Sequence, residues 1–249
     1  MKLEIKERFL KAWEKHFPNN ELPLVCFYAN ELKDVEFPNA PKPHPRGYTC
    51  IFSRIAPVRR GRARAFNADN LGCSGANLHL GFDQPHVTDE VRQYVCEVER
   101  RKKTFDHLDR HYAHYPIMQA PGKYLVFKRW DILEEHDTPQ VVVFFGNPDA
   151  MSGLHTLANY DEKTPFGVQV AWGSGCDSLI NYPMRELESE QPKSFIGGFD
   201  PSVRRCVKPD LLTFSTPWPK FLGMLDNMDE SFLVGDDWAD VKSRFKSRK

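Results

Sequence analysis

The chain has 249 residues, 41% hydrophobic and 27% charged, enough for one large domain or two small ones. Its 34 basic and 34 acidic residues leave no formal net charge, which counts against a dedicated nucleic-acid binder. No apolar run approaches the roughly 18 residues of a membrane span, and the first ten residues lack the apolar stretch of a signal peptide. The expectation is therefore a cytoplasmic chain with neither nucleic acid nor membrane as partner. In a reducing compartment its six cysteines (26, 50, 73, 96, 176 and 206) are either buried hydrophobes or working thiols.

In chain order, residues 1–10 alternate charged and apolar side chains at helical spacing. Leu24–Asn30 is an apolar run behind Pro23 and reads as a buried strand. An insert around Pro38–Pro45 leads to a helical segment, Cys50–Ala56. Arg59-Arg-Gly-Arg-Ala-Arg64 reads as a charged loop rim that steers an anion, or simply as a charged turn. A strand over Ala63–Asn67 follows, then the turn Leu71-Gly-Cys-Ser-Gly-Ala-Asn77. Thr104–Pro116 carries His107, His111 and His114 on one helical face, but it is so polar that a solvated helix end is expected rather than a metal site. Tyr124–Lys128 closes this half as a strand.

The second half repeats the order. Val141–Asn147 is a strand, Met151–Ala158 a helix, Phe166–Trp172 a strand and Ser174-Gly-Cys-Asp-Ser-Leu-Ile-Asn181 a second Gly-Cys turn. Glu186–Gln191 reads as a polar helix or linker reaching the turn at Gly197-Gly198, and Leu211–Ser215 is the closing strand. Asp236–Phe245 is a capped amphipathic helix within a C-terminal helical stretch 236–249, with Lys246–Lys249 a frayed basic end. The expected fold class is α+β (or α/β). It is a single domain over 1–249, made of two tandem-duplicated halves at about 22–135 and 138–230, packed about a pseudo-twofold axis.

The residues also resemble a family. Cys50 followed by Ala56 and Gly61, then Cys73-Ser-Gly-Ala with Leu80-Gly81, is similar to the prokaryotic domain-of-unknown-function family numbered 169. Asn147-Pro-Asp-Ala-Met151 with Ala158, Gly175-Cys176, and Asp210-Leu-Leu-Thr-Phe214 ahead of Pro217 resemble its second half, so the likeness spans about residues 20 to 230. It implies recurrent cysteines at Cys50, Cys73 and Cys176, and an arginine matched here by Arg204 or Arg205. A further family cysteine is replaced by glycine in this chain, and Cys206 falls out of register.

Three thiols from separate segments suit an iron-sulfur cluster, expected to be of the [4Fe-4S] type, with zinc as the alternative metal. Arg204, Arg54, Asn77 and Asn181 are the expected contacts for a small, anionic ligand at the junction of the halves. The chemistry would be redox or Lewis-acid work. Two rivals remain: a metal-free small-molecule binder whose cysteines are packing, and a thiol enzyme using Cys73 or Cys176 as nucleophile. No G-x-S-x-G, P-loop, G-x-G-x-x-G or H-E-x-x-H motif points elsewhere.

Overall fold

The computed structural model describes residues 1–42, 49–84 and 86–245. The C-terminal part of the Pro38–Pro45 insert and the basic end Lys246–Lys249 lie outside the described residues. Apolar runs free of internal glycine and proline become the inner strands: β1 (Leu24–Ala29), β3 (Tyr124–Arg129), β4 (Val141–Gly146) and β7 (Leu212–Pro217). Three shorter strands complete the sheet, β2 (Arg64–Phe66), β5 (Val168–Gln169) and β6 (Ser194–Gly197). The spatial order is β2-β3-β1-β4-β7-β6-β5, antiparallel throughout except for β5 beside β6.

Helices cover both faces, and the fold is mixed α+β. In order they are α1 (Leu3–His16), α2 (Ile51–Arg54), α3 (Ser74–His79), α4 (Asp89–Gln93), α5 (Phe105–His114), α6 (Pro148–Leu157), α7 (Tyr182–Arg185), α8 (Pro201–Arg204), α9 (Trp218–Asn227) and α10 (Asp236–Ser243). None is long and apolar enough to cross a membrane.

Strand alternation assigns each residue to a face. Val25, Phe27, Val126, Val142, Phe144 and Phe214 point to one side, where α1, α6, α9 and α10 lie. Trp13 stacks on Phe17 at 4.4 Å between ring centres, and Phe9 meets Trp130 at 4.3 Å. Leu24, Cys26, Leu125, Phe127, Val141, Val143 and Phe145 point to the other side, where α2, α3 and the Gly175–Ile180 segment lie. At the centre of the sheet Val25 sits opposite Val142, flanked by Leu24 opposite Val143 and Cys26 opposite Val141.

Two elements differ from expectation. The strand expected over Phe166–Trp172 shrinks to Val168–Gln169, because it lies at the open edge, where Phe166, Val170 and Trp172 are exposed. The turn expected at Gly197-Gly198 is preceded by β6, which pairs with β7 from Phe195 to Gly197. Glycine at its end hid that strand from the apolar pattern.

Candidate functional site

Three of the cysteines share one local device. Each stands immediately before a short helix: Cys50 before α2, Cys73 before α3 and Cys176 before a π-helical turn over Asp177–Asn181. Ser, Thr, Asp or Asn usually fills the cap position; Cys50 and Cys73 take it in extended conformation, whereas Cys176 is already helical and Ser174 caps its turn by accepting from the Asp177 amide at 3.2 Å. Each thiol borders the apolar layer beneath the sheet; Cys176 belongs to the buried core, while Cys50 and Cys73 pack against it.

The structure adds a fourth thiol. Cys206 follows α8 and packs against the same core. Its Sγ donates to the carbonyl of Ser202 at 4.0 Å, and Cys50 and Ser53 of α2 act on its titration. A π turn and a short helix displace residues by amounts that sequence register cannot anticipate.

The glycines before the cysteines do different work. Gly72 has φ +76°, and a Cβ there would lie 2.1 Å from Pro41 Cγ, so both backbone and space demand glycine. At Gly175 the reason is space alone: a Cβ would meet Val203 Cγ2 at 2.2 Å and Phe52 Cε2 at 3.1 Å. Gly175 thus brings the Cys176 turn against the helices that flank Cys50 and Cys206.

Electrostatics divide the four sulfurs. The hydrogen bond to Cys206, followed by burial, pushes the Cys50 thiol up, with the Phe52 amide opposing. Burial raises Cys73 against the lowering effect of the Ala76 and Gly75 amides. Burial raises Cys176 further, with Cys73 and Asp177 adding to the rise. Cys206 moves the other way, down to about 6, because it accepts from Cys50 and has Ser53 and Arg205 beside it.

A buried polar network adjoins Cys176. Asp177 is enclosed and accepts from His79 Nδ1 at 2.9 Å, Asn181 Nδ2 at 2.9 Å and the Ser174 amide at 2.8 Å. Burial alone would raise its pKa, and the charge and hydrogen bond of His79 reverse that to a net lowering. Asp200 ties the neighbouring turn: it accepts from the Gly175 amide at 3.1 Å and from Arg101 at 3.2 Å. His111 leaves the solvated face expected for its helix and meets Trp172 edge-on at 4.7 Å. His107 and His114 bond within their own helix region, to Thr104 and to Arg110 O.

The expected ligand contacts fall into two groups. Arg54 donates to the carbonyls of Asn39 and Asn70, and its Nε is buried without a partner. Arg204 donates to the carbonyls of Leu211, Pro209, Lys208 and Gly198, so it holds the loop after α8. Asn77 and Asn181 each keep a buried Oδ1 with no partner. They sit four and five residues after their cysteines; the π turn absorbs the extra residue by pairing Tyr182 N–H with Asp177 O. The arginine run is neutralised: Arg59 grips Glu21 with two bonds of 2.8 Å, and Arg64 and Arg62 face Glu36.

Among the described residues, one trio of His, Cys, Asp or Glu has all its ligand atoms within 4.8 Å, the exposed Asp34, Glu134 and His136. No three thiols are that close. Four thiolates on one zinc lie about 3.8 Å apart, from a Zn–S bond near 2.3 Å.

A family model, DUF169, described as an uncharacterised ArCR, matches residues 20–227. No curated protein and no solved structure matches the chain.

Proposed function

The chain belongs to the DUF169 family, and from that premise we propose that it is an iron-sulfur protein in which Cys50, Cys73 and Cys176 hold the cluster. Cys206 is the available fourth thiol, and a small-molecule site lies at the junction of the halves. The observation that carries the reading is the convergence of thiols from three helix starts and one helix end on a single layer beneath the sheet. The donor type fits, since thiolates suit iron-sulfur clusters. A bound cluster would supply one-electron redox chemistry, or Lewis-acid chemistry if one iron is left open.

The chain's own residues would do the rest. Asp200 fixes the Gly175–Cys176 turn by accepting its amide, and the His79–Asp177 pair joins the first half to the second beside Cys176. The unpartnered Oδ1 atoms of Asn77 and Asn181 are acceptors, so they suit a ligand that presents N–H or O–H donors.

Tandem duplication accounts for this arrangement. An axis through the Val25–Val142 pair exchanges β1 with β4 and turns the Leu24–Val143 contact into the Val141–Cys26 contact. The same exchange carries β3 onto β7 with Val126 matching Phe214, both on the aromatic face. That match shifts the alignment of Tyr124–Lys128 with Leu211–Ser215 by one residue. The Gly-Cys turns then fall on one face, either side of the axis.

The test is anaerobic purification with a visible spectrum and iron and sulfide determinations. Expected are charge-transfer absorption that Cys73→Ser or Cys176→Ser abolishes, and iron and sulfide in stoichiometric amounts. A colourless, iron-free protein after anaerobic reconstitution would refute the reading.

A further inference from the structure

We infer that residues 86–116 form a lid that opens as one unit about a neck at Gly81 and Ala120. Its opening uncovers the buried His79–Asp177 pair and the turn that leads into Cys176. The inference rests on packing and hydrogen bonds alone, so it stands whether or not Cys176 holds a cluster.

The segment leaves the body of the protein and returns to it at one place. The Gly81 carbonyl accepts from the Ala120 amide at 2.9 Å and from Gln119 Nε2 at 3.0 Å. Gly81 has φ +77°, and a Cβ there would lie 2.4 Å from the Ala120 nitrogen, so this neck requires glycine. Beyond the neck α4 and α5 are tied to each other, with Arg92 donating to Asp109 at 2.9 Å. The unit buries little: of residues 86–116 only Val95 and Leu108 are buried. In α5, ten residues long, one residue is buried, whereas α6, of the same length, buries five. A segment with so few buried contacts opens at a much lower free energy than the core.

The grip of this unit on the second half is polar and aromatic. Arg101 donates to Asp200 Oδ2 at 3.2 Å, and the same oxygen accepts the Gly175 amide at 3.1 Å. Lys102 Nζ stands 3.7 Å from the centre of the Trp172 ring. Two adjacent side chains thus hold both ends of the Trp172–Gly175 turn. Arg100, just before them, takes a left-handed φ of +52°, a strained setting that the surrounding contacts maintain. Further along, Tyr112 packs beside His79 with ring centres 6.0 Å apart, and Tyr115 beside Tyr182 at 5.1 Å. Lifting the unit removes all of these contacts together, which leaves the pair and the turn open to solvent.

The test is hydrogen exchange on the full chain, read peptide by peptide by mass spectrometry, for wild type and Lys102→Ala. Peptides of α4 and α5 should exchange well before those of β1 and β4. Lys102→Ala should speed both lid helices by one common, several-fold factor and leave β1 and β4 unchanged. Lid peptides as slow as β4, or one helix accelerated without the other, would overturn the lid. Access is read with iodoacetamide on the same samples after iron chelation, with iron measured beforehand. Cys176 should be alkylated several-fold faster in Lys102→Ala and in Arg101→Ala, while Cys26, buried in β1, keeps its rate. An unchanged Cys176 rate would overturn the gating role. Should Arg101→Ala fail to fold, Lys102→Ala decides alone, because that side chain is only partly buried. The iron content reports on the cluster separately, so either idea can fail alone.

Discussion

The two faces of the sheet are made of different material. On one, Phe9, Trp13, Phe17, Trp130, Phe144, Phe221 and Trp238 build a nearly continuous aromatic layer, in which the Trp13 indole N–H is buried without a partner. Trp130 and Trp238 donate their indole N–H groups to the carbonyls of Lys6 and His16. On the other face, smaller aliphatic side chains alternate with thiols, and a carboxylate, an imidazole and two amides lie at or near its floor. A face that carries buried charge and unpaired oxygens gives up stability, which the aromatic face supplies.

The largest test of that division is Trp130→Ala. Removing a fully buried indole packed against Phe9 and Phe221 should cost about 3–5 kcal/mol. Urea unfolding measures the loss, while the cysteine reactivities of the still-folded protein should be unchanged. Altered thiol reactivity would show that the faces are not independent. Next comes Asp177→Asn, which removes the charge that His79 and Asn181 bond and should cost about 1.5–3 kcal/mol. This carboxyl lies below its ordinary value in the folded chain, so its contribution is complete above the unfolded value of about 3.9 and fades as pH falls through the folded one. Wild-type stability should therefore drop on acidification in that window, and the variant's acid slope should be flatter. The smallest effect is expected for Gly175→Ala, where the added methyl would press on Val203 and Phe52 and cost about 1–3 kcal/mol. Thermal unfolding reads that cost, and a faster Cys176 alkylation would show the turn lifting from the helices.

Much of the architecture is legible from residues alone. β1 and β4 are unbroken apolar runs and β3 opens with one, and such runs announce buried inner strands, whereas β7 alternates apolar and hydroxyl side chains. Both Gly-Cys phrases lie at turns that enter short helical segments on the same side of the sheet. What escapes has physical reasons. Ser194-Phe-Ile-Gly197 is too short and ends in glycine. The contact of His79 with Asp177 spans 98 residues and follows from the pairing of two halves, which no local pattern encodes. Cys206 packs against the same core as Cys50, a placement that its position in the sequence does not announce. Arg54 and Arg204 donate to backbone carbonyls at loop ends, partners that no local pattern encodes.

The N-terminal helix carries a consequence for biosynthesis. α1 is synthesised before α9 and α10, on which it docks: Phe9 rests on Phe221, and the carbonyl of His16 waits for the indole of Trp238, 222 residues later. At translation rates of about 5–20 residues per second, that delay lasts on the order of ten seconds or more. Throughout it an amphipathic helix bearing Phe9 and Trp13 has only part of its packing, on Trp130 and Phe144. The nascent chain should therefore be a chaperone client until α9 and α10 appear, and its folding should be slow for its size, because the contacts that close the core join distant parts of the chain.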